Sequence, residues 1–359
     1  MTAATTSPIK TIPRYYALAC QTIIKPITND VQTRAEGRAI MRENLDAALL
    51  LMKRGLGNGL GDVKLVTFPE MFLTLAPVGW TRGVKGWLDV ACTEVPGPDL
   101  EPLFQAARDF GVYIGANCYE YDPKWPMRYF NCSFLVDPTG KVVLKYRRLH
   151  SHISPSPHDF LDAYVQAEGW DALFPVADTA LGRIAMFPCM EISKPEVARM
   201  FAMKGAEVLL HPTGDSPDFP GWTACKLARA FENNCYVIST NCGGWVSKRG
   251  YLESTNAGGT KIIDYLGTVI NEAKPSGESM KARALIDIDQ LRAHRHSRNA
   301  FNMIAQLRTE LYTEYKRTIT PPNRFLDPMK DQDALHKLYG ETMERLTEDG
   351  YFPRPVLKN

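Results

Sequence analysis

The sequence has no long hydrophobic run and no strong charge of one sign. No stretch approaches the roughly 18 apolar residues that a membrane-spanning helix needs, and the formal net charge of the 359-residue chain is only +2. Binding to nucleic acid or to an anionic membrane surface needs a concentrated positive field, which this balance does not supply. We therefore expect neither nucleic acid nor membrane as a partner.

The eight cysteines include no CxxC pair and no cysteine and histidine spacing suited to zinc. The first residues contain no apolar segment of signal-peptide length. Residues 55–62 are rich in glycine but lack the GK[ST] ending of a phosphate-binding loop and precede a strand, so they indicate a connection. These absences predict a cytoplasmic protein with reduced thiols and give no sign of a nucleotide cofactor.

What the sequence does contain is an alternation of strand and helix patterns, as in an α/β fold. The predicted strands are residues 15–21, 64–68, 113–118, 129–137, 141–148, 184–187, 207–210, 235–241, 260–265, 268–272 and 282–288. The predicted helices are residues 35–53, 103–110, 197–203, 222–233, 290–315 and 333–346. We expect one domain over residues 1–318. Residues 319–359 are rich in proline and poor in apolar surface, which predicts an extension that packs on the body or on a neighbouring subunit.

A cysteine occupies the corner between one of these strands and the next helix. Cys189 follows Pro188 directly after the apolar residues Ile184 to Phe187. Such a corner exposes a thiol above the sheet edge, where peptide N–H groups can lower its pKa into the reactive range. Cys189 is therefore a candidate nucleophile, and the alternative is a buried apolar filler.

A carboxylate lies at a comparable place on another strand. The strand of residues 64–68 ends in Pro69 and Glu70. In open α/β folds ligands bind at the carboxyl ends of the strands. Glu70 is therefore a candidate site residue, and the alternative is an ordinary surface glutamate.

Several segments together resemble the nitrilase superfamily of carbon-nitrogen hydrolases, from about residue 15 to residue 315. They are, in the family's order, FPE at 68–70, PGP at 96–98, KYRRLH at 145–150, the cysteine corner, KGAEVLLHPT at 204–213, ARAFENNCYVISTN at 228–241 and IIDYLG at 262–267. The segments at 202–207 and 232–237 look most like the aliphatic amidase and formamidase branch. Met190 stands where true nitrilases usually have tryptophan. The resemblance implies a four-layer αββα sandwich and a homodimer or larger homo-oligomer, paired through the layer that contains the cysteine helix.

The resemblance also implies a catalytic set of glutamate, lysine and cysteine. The glutamate is Glu70 and the cysteine is Cys189, but the position of the lysine holds Arg148. Lys145 lies three residues earlier and should point to the opposite face of its strand. Arginine can stabilise negative charge but cannot exchange a proton at neutral pH. Three readings stay open: an active variant, an enzyme for an acidic or unusual substrate, and a relative without activity.

The family's chemistry is hydrolysis of a small amide through a cysteine thioester, with a nitrile as the alternative substrate and without a metal or other cofactor. In that scheme the peptide N–H of Met190 is a second oxyanion donor. Glu191 supports either the start of the helix or the side chains that contact the substrate, and Asp159 helps to orient the base. His150 belongs to a histidine trio with His152 and His158, a spacing that could bind a metal ion, but the trio lies in a proline-rich loop and the family has no known metal, so we expect none. Tyr129 and Trp222 are among the aromatic residues that could wall a pocket, together with Trp80, Trp125 and Trp245.

Overall fold

The computed structural model describes residues 11–57, 59, 61–151, 153–214, 220–246, 252–253, 258–274, 277–297, 302–329, 331 and 333–354. The strands in chain order are β1 Tyr15–Gln21, β2 Ile23–Ile24, β3 Val63–Thr67, β4 Tyr113–Tyr121, β5 Tyr129–Val136, β6 Val142–Arg147, β7 Ala177–Thr179, β8 Gly182–Met186, β9 Val208–Thr213, β10 Tyr236–Asn241, β11 Gly244–Val246, β12 Leu252–Glu253, β13 Lys261–Ile263, β14 Val269–Glu272 and β15 Met280–Ile286. The α-helices are α1 Arg34–Leu56, α2 Gly83–Ala91, α3 Glu101–Phe110, α4 Leu161–Glu168, α5 Pro195–Met203, α6 Pro220–Asn233, α7 Ile288–His296 and α8 Asp333–Glu348.

Two six-stranded sheets carry the fold. The first has the strand order β15-β1-β3-β4-β5-β6, and the second has the order β14-β13-β10-β9-β8-β7. The centre of each sheet is parallel, with β1 beside β3 and β3 beside β4 in the first, and β8 beside β9 and β9 beside β10 in the second. Parallel neighbours need a crossover, which the intervening helices provide.

The two faces of the first sheet belong to two different hydrophobic cores. Leu18 on β1 joins Met41 and Leu45 of α1 in one core. Its neighbour Ala17 lies on the other face, in a core with Leu209 of β9 and Phe201 of α5. Because side chains alternate along a strand, one strand serves both cores. The layers are thus helix, sheet, sheet, helix, which confirms the predicted four-layer αββα sandwich.

Helix α1 is delimited by its own sequence. Thr33 caps the N-terminus by accepting a hydrogen bond from the Glu36 peptide N–H, and Glu36 bonds back to Thr33, which is a complete capping box. Helices α2 and α4 were not predicted from the sequence, whereas the predicted strands and the other predicted helices, except that of residues 290–315, are confirmed with shifts of a few residues at their ends.

The long helix predicted over residues 290–315 is wrong. Helix α7 ends at His296, where Ser297 adopts an extended backbone, and residues 304–306, 309–311 and 313–316 form short 3-10 turns. Only part of the apolar surface of this span is covered, since Leu291 is buried whereas Leu311 and Tyr315 are each 69% exposed. Helical periodicity alone does not hold a helix together without a face to bury.

The C-terminal segment touches the body of the domain. The Arg128 guanidinium donates to the carbonyl oxygens of Phe325 and Leu326 at 2.8 and 2.6 Å, and the Tyr339 hydroxyl donates to the carbonyl of Ser151 at 3.3 Å. The boundary at residue 318 stays a prediction. Among the described helices, none combines the length and the apolar character required to cross a bilayer.

Candidate active site

Cys189 lies at a strained corner of the backbone. Strand β8 ends at Met186, and a 3-10 turn runs from Cys189 to Ser193. Cys189 has φ +49°, in the left-handed region that side chains other than glycine rarely adopt. Strain of this kind persists only where the surrounding structure holds it, and it concentrates at functional sites. The corner leaves the thiol partly exposed, while Phe187 before it is buried.

The corner is held from the second sheet by His211 of β9. Its Nε2 lies 2.8 Å from the carbonyl oxygen of Cys189, and its Nδ1 lies 2.9 Å from the Ser239 hydroxyl. A carbonyl oxygen only accepts, so Nε2 carries a proton and donates to Cys189. His211 therefore fixes the Cys189 peptide. It is a site residue that the motif reading did not single out.

Glu70 is placed by the end of β3 and is 1% exposed. Its Oε1 accepts a hydrogen bond from Arg148 Nη1 at 3.0 Å and another from Asn131 Nδ2 at 2.8 Å. A buried carboxylate needs such charge-assisted partners to offset its desolvation. The buried position excludes the alternative that Glu70 is a surface glutamate.

Arg148 directly follows β6 and is 2% exposed. Besides its bond to Glu70, its Nε donates to the carbonyl oxygen of His150 at 2.8 Å. Burial opposes the guanidinium charge, but the negative charges of Glu70, Cys189 and Glu191 outweigh it and raise the pKa of Arg148 above that of an ordinary arginine. The guanidinium therefore stays charged beside Glu70.

Lys145 lies on the other face of the sheet, as the alternation along β6 predicts. Its Nζ is 2.7 Å from Glu120 Oε1 and 3.3 Å from the carbonyl oxygen of Val95. Glu120 also pairs with Arg147, at 2.7 Å from Nε. Lys145 thus belongs to a separate ionic network, and Arg148 is the cation that meets Glu70.

Two asparagines on neighbouring strands extend the site below Glu70. Asn117 of β4 donates to the side-chain oxygen of Asn131 of β5 at 2.7 Å and accepts from the Met71 peptide N–H at 2.8 Å. Both asparagines are fully buried. Asn131 thereby presents its N–H group to Glu70 in a fixed orientation. The sequence feature that could have indicated these two residues is a polar amide side chain inside each of two otherwise apolar strands.

Glu191 lies two residues beyond the cysteine and is fully buried. Its Oε1 accepts from the peptide N–H groups of Leu149 and His150 at 3.1 and 2.9 Å, and both of its oxygens lie 2.9 Å from the Tyr146 hydroxyl. The ring Nδ1 of His150 also lies 3.1 Å from the same Oε1. Glu191 and His150 are therefore neighbours beside Arg148.

The remaining predicted site residues lie in different surroundings. Met190 is partly buried in the turn that follows Cys189, and its carbonyl oxygen accepts from Ser193 Oγ at 2.7 Å. Asp159 forms a capping box with Ser156, and burial raises its pKa to about 6. Tyr129 is buried edge-on against Tyr119, with 5.4 Å between ring centroids.

Trp222 lies on α6 and packs against the core that contains Ala17 and Phe201. Of the histidine trio, His152 falls outside the described residues. Among the residues that the structure does describe, no group of three or more histidine, cysteine, aspartate or glutamate side chains is arranged to hold a metal ion.

Comparison with known proteins identifies the family. A family model described as carbon-nitrogen hydrolase matches residues 40–295, which is most of the chain. The chain belongs to the carbon-nitrogen hydrolase family. This confirms the resemblance inferred from the sequence motifs.

Among the relatives of this carbon-nitrogen hydrolase is the formamidase of Bacillus thuringiensis. The two are 31% identical over 187 residues, which cover 50% of this chain and 52% of the formamidase. The chain thus spans about half the length of the curated relatives it matches.

Solved structures of the nitrilase superfamily share the fold. A Saccharomyces cerevisiae member of branch 10 of the superfamily matches with a TM-score of 0.60 and 19% identity, over 82% of this chain and 98% of its own. A glutamate-to-glutamine variant of the amidase from Nesterenkonia sp. matches with a TM-score of 0.56 and 17% identity, over 86% of this chain and 100% of its own. That variant shows the acetamide moiety of fluoroacetamide added covalently at its own active-site cysteine.

Proposed function

We propose that this carbon-nitrogen hydrolase is an amidase, which converts a small amide into its acid and ammonia or an amine through a thioester on Cys189. The observation that carries the proposal is the position of Arg148. Its guanidinium is bonded to Glu70, and the charge of Cys189 is among those that raise the pKa of Arg148. A buried base paired with a buried cation, beside a partly exposed thiol at a strained corner, is the set of groups that acyl transfer requires.

The proposed first half-reaction uses these three side chains in turn. Glu70 takes the proton of the Cys189 thiol, and the thiolate attacks the amide carbon. Arg148 and the peptide N–H of Met190 stabilise the oxyanion of the tetrahedral intermediate. Protonated Glu70 then gives its proton to the leaving nitrogen, the carbon-nitrogen bond breaks, and the acyl group stays on sulfur as a thioester.

The second half-reaction releases the acid. Glu70 takes a proton from water, and the resulting hydroxide attacks the thioester carbon. The carbon-sulfur bond breaks, the thiolate recovers a proton from Glu70, and the carboxylic acid leaves. Arg148 keeps its charge throughout, so its proposed part is electrostatic only.

Two observations favour an amide over a nitrile as the substrate. The relatives found by sequence include formamidases, and Met190 occupies the position after the cysteine where nitrilases usually have tryptophan. The burial of Glu70 and Arg148 favours a small substrate. Assaying formamide, acetamide and propionamide beside acetonitrile and propionitrile separates the two classes.

The test of the proposal is an ammonia-release screen over amides, N-carbamoyl compounds and nitriles. Cys189→Ala is expected to abolish release. Cys225→Ala is the matched control, because Cys189 and Cys225 are the two partly exposed thiols of the chain and the other six are buried. Full activity of the Cys189 variant on an accepted amide would refute the proposal.

A second candidate function is ligand binding without turnover. The observation that favours it is the direct bond between Arg148 and Glu70, because an arginine in the place of the family's lysine holds the carboxylate in a strong ion pair. In that case calorimetry should show that the protein binds amides, whereas the assay should detect no ammonia from any of them. A gain of activity in Arg148→Lys would also favour this second candidate.

We further propose a homodimer or larger homo-oligomer that pairs through the α5 layer. Met200 and Met203 on α5 are 39% and 52% exposed, and Tyr312 and Tyr315 line the same groove. An exposed apolar surface of this kind is typical of an interface. Light scattering should show a dimer or larger species, and Met203→Glu should shift it towards the monomer. A monomeric wild-type protein would contradict this proposal.

A further inference from the structure

We propose that Glu191 is a positioning residue, which holds the Arg148 guanidinium in place through the peptide of His150. This inference rests on the proposed amide hydrolysis, for which Arg148 is the cation. The family comparison assigns no such part to Glu191, and the sequence alone indicated only that it supports the helix start or the site from behind.

The link runs through one residue in two steps. Glu191 Oε1 accepts the peptide N–H of His150 at 2.9 Å. The carbonyl oxygen of the same residue accepts Arg148 Nε at 2.8 Å. His150 is thus held at its nitrogen by the carboxylate, and it holds the guanidinium with its oxygen.

The carboxylate is itself fixed from several sides. Tyr146 donates its hydroxyl from β6, and the Leu149 peptide N–H donates at 3.1 Å. Glu191 also lies in the turn that begins at Cys189, where its own peptide N–H donates to the Pro188 carbonyl at 3.2 Å. One side chain therefore connects the turn of the nucleophile with the segment that carries the cation.

Buried charge explains why a carboxylate is suited to this position. Glu191 is fully buried, and it is among the groups whose charge raises the pKa of Arg148. A neutral amide of the same shape would keep part of the contacts but would lose the charge and would present an N–H group to peptide donors. The geometry of the guanidinium then depends on the charge of Glu191 as well as on its volume.

Lysine at position 148 provides a background in which the link is broken. Arg148 bonds the His150 carbonyl oxygen through Nε and Glu70 through Nη1. Lysine lacks the second of these nitrogen positions, so it cannot reproduce both bonds in the same geometry. If Glu191 acts through Arg148, then the effect of Glu191→Gln must shrink when Arg148→Lys is also present. The effects of mutations on kcat are not additive when one residue acts through the other. A residue with a merely structural part should lower kcat by the same factor in both backgrounds.

The experiment is a double-mutant cycle on the full-length protein with an accepted amide. Glu191→Gln alone is expected to lower kcat about 10- to 100-fold, by analogy with the loss found when groups that orient metal ligands are changed, with KM unchanged within about twofold. In the Arg148→Lys background the further loss is expected to be less than about threefold. Equal fold losses in the two backgrounds would overturn the inference. Thermal unfolding and circular dichroism check that each variant is folded, and Glu191→Asp replaces Glu191→Gln if the latter is not.

A second readout separates this inference from the proposed function. The rate of Cys189 alkylation by iodoacetamide is measured for the same four proteins, with Cys225→Ala present throughout. A loss of alkylation rate on Glu191→Gln that disappears in Arg148→Lys supports the link even if no amide is turned over, in which case the proposed function alone fails. Ammonia release that responds equally to Glu191→Gln in both backgrounds leaves the function standing and refutes the link.

Discussion

Arg148 Nη1 donates a hydrogen bond of 3.0 Å to Glu70 Oε1, and both side chains are almost completely buried. The two residues come from different strands of the first sheet, since Glu70 follows β3 and Arg148 follows β6. Breaking such a buried pair from one side leaves an uncompensated charge. The pair therefore sets the local electrostatics, and the chemistry of Cys189 is expected to depend on both of its members.

The first prediction concerns the identity of the cation. Arg148→Lys is expected to lower kcat/KM at least about tenfold, because lysine lacks the planar fork that reaches Glu70 and His150 at once. Arg148→Ala is expected to lower it about 10²- to 10³-fold, the usual loss on removal of an oxyanion donor. Steady-state ammonia release measures both. Higher activity with lysine would show that arginine is a defect of this site.

The second prediction concerns the support of Glu70 by Asn131. Asn131→Ala removes the 2.8 Å bond to Glu70 Oε1 and leaves a buried acceptor with one donor fewer. We expect a loss of about 1 to 3 kcal/mol in the free energy of unfolding. Asn131→Asp should in addition lower kcat/KM, because it places a second carboxylate beside that of Glu70. The control is Ser133→Ala, because the Ser133 hydroxyl bonds Asn117 and not Glu70. Equal losses in the free energy of unfolding for all three variants would contradict the prediction.

The third prediction concerns backbone strain at the corner. Because Cys189 has φ +49°, Cys189→Gly should be more stable than Cys189→Ala by about 1 kcal/mol, the usual difference at a left-handed position. Denaturant unfolding of the two inactive variants measures the difference. If alanine is equally stable or more stable, the corner is not strained.

The fourth prediction concerns the pH dependence of stability. Burial raises the pKa of Asp159 to about 6, against opposing effects of Ser156 and Arg128, while the unfolded value is about 3.9. The folded state therefore binds its proton more tightly, so the contribution of Asp159 to stability is highest below about pH 4 and falls as the pH rises to about 6.

Asp159→Asn removes this titration. Between pH 4 and pH 7 the free energy of unfolding of the wild type should decrease by about 2 to 3 kcal/mol relative to that of the variant. Denaturant unfolding at both pH values gives the comparison. A constant difference between the two proteins would show that the carboxyl group of Asp159 does not titrate in this range.

The sequence predicted central strands such as β5, β9 and β10 well because their residues are buried on both faces and form short apolar runs. Glu70 and Cys189 could be singled out because each follows such a run directly. The helix over residues 290–315 failed because periodicity shows that a face is apolar but not that any surface covers it.

The contacts of the candidate site required the structure. Asn131 and His211 lie inside strands, where the sequence does not reveal which buried polar side chain meets which partner. The link from Glu191 to Arg148 passes through the backbone of His150, and backbone contacts between distant segments leave no mark on residue type. Only the opposite orientations of Lys145 and Arg148 followed directly from the period of the strand.

The most direct test of the account is to locate the acyl group during turnover. The protein is mixed with an accepted amide, quenched with acid, and analysed by intact-protein mass spectrometry and peptide mapping. We predict an adduct with the mass of the acyl group on the peptide that contains Cys189, absent in Cys189→Ala and retained in Cys225→Ala. Ammonia release that continues in Cys189→Ala, or an acyl group mapped to any other residue, would contradict the account.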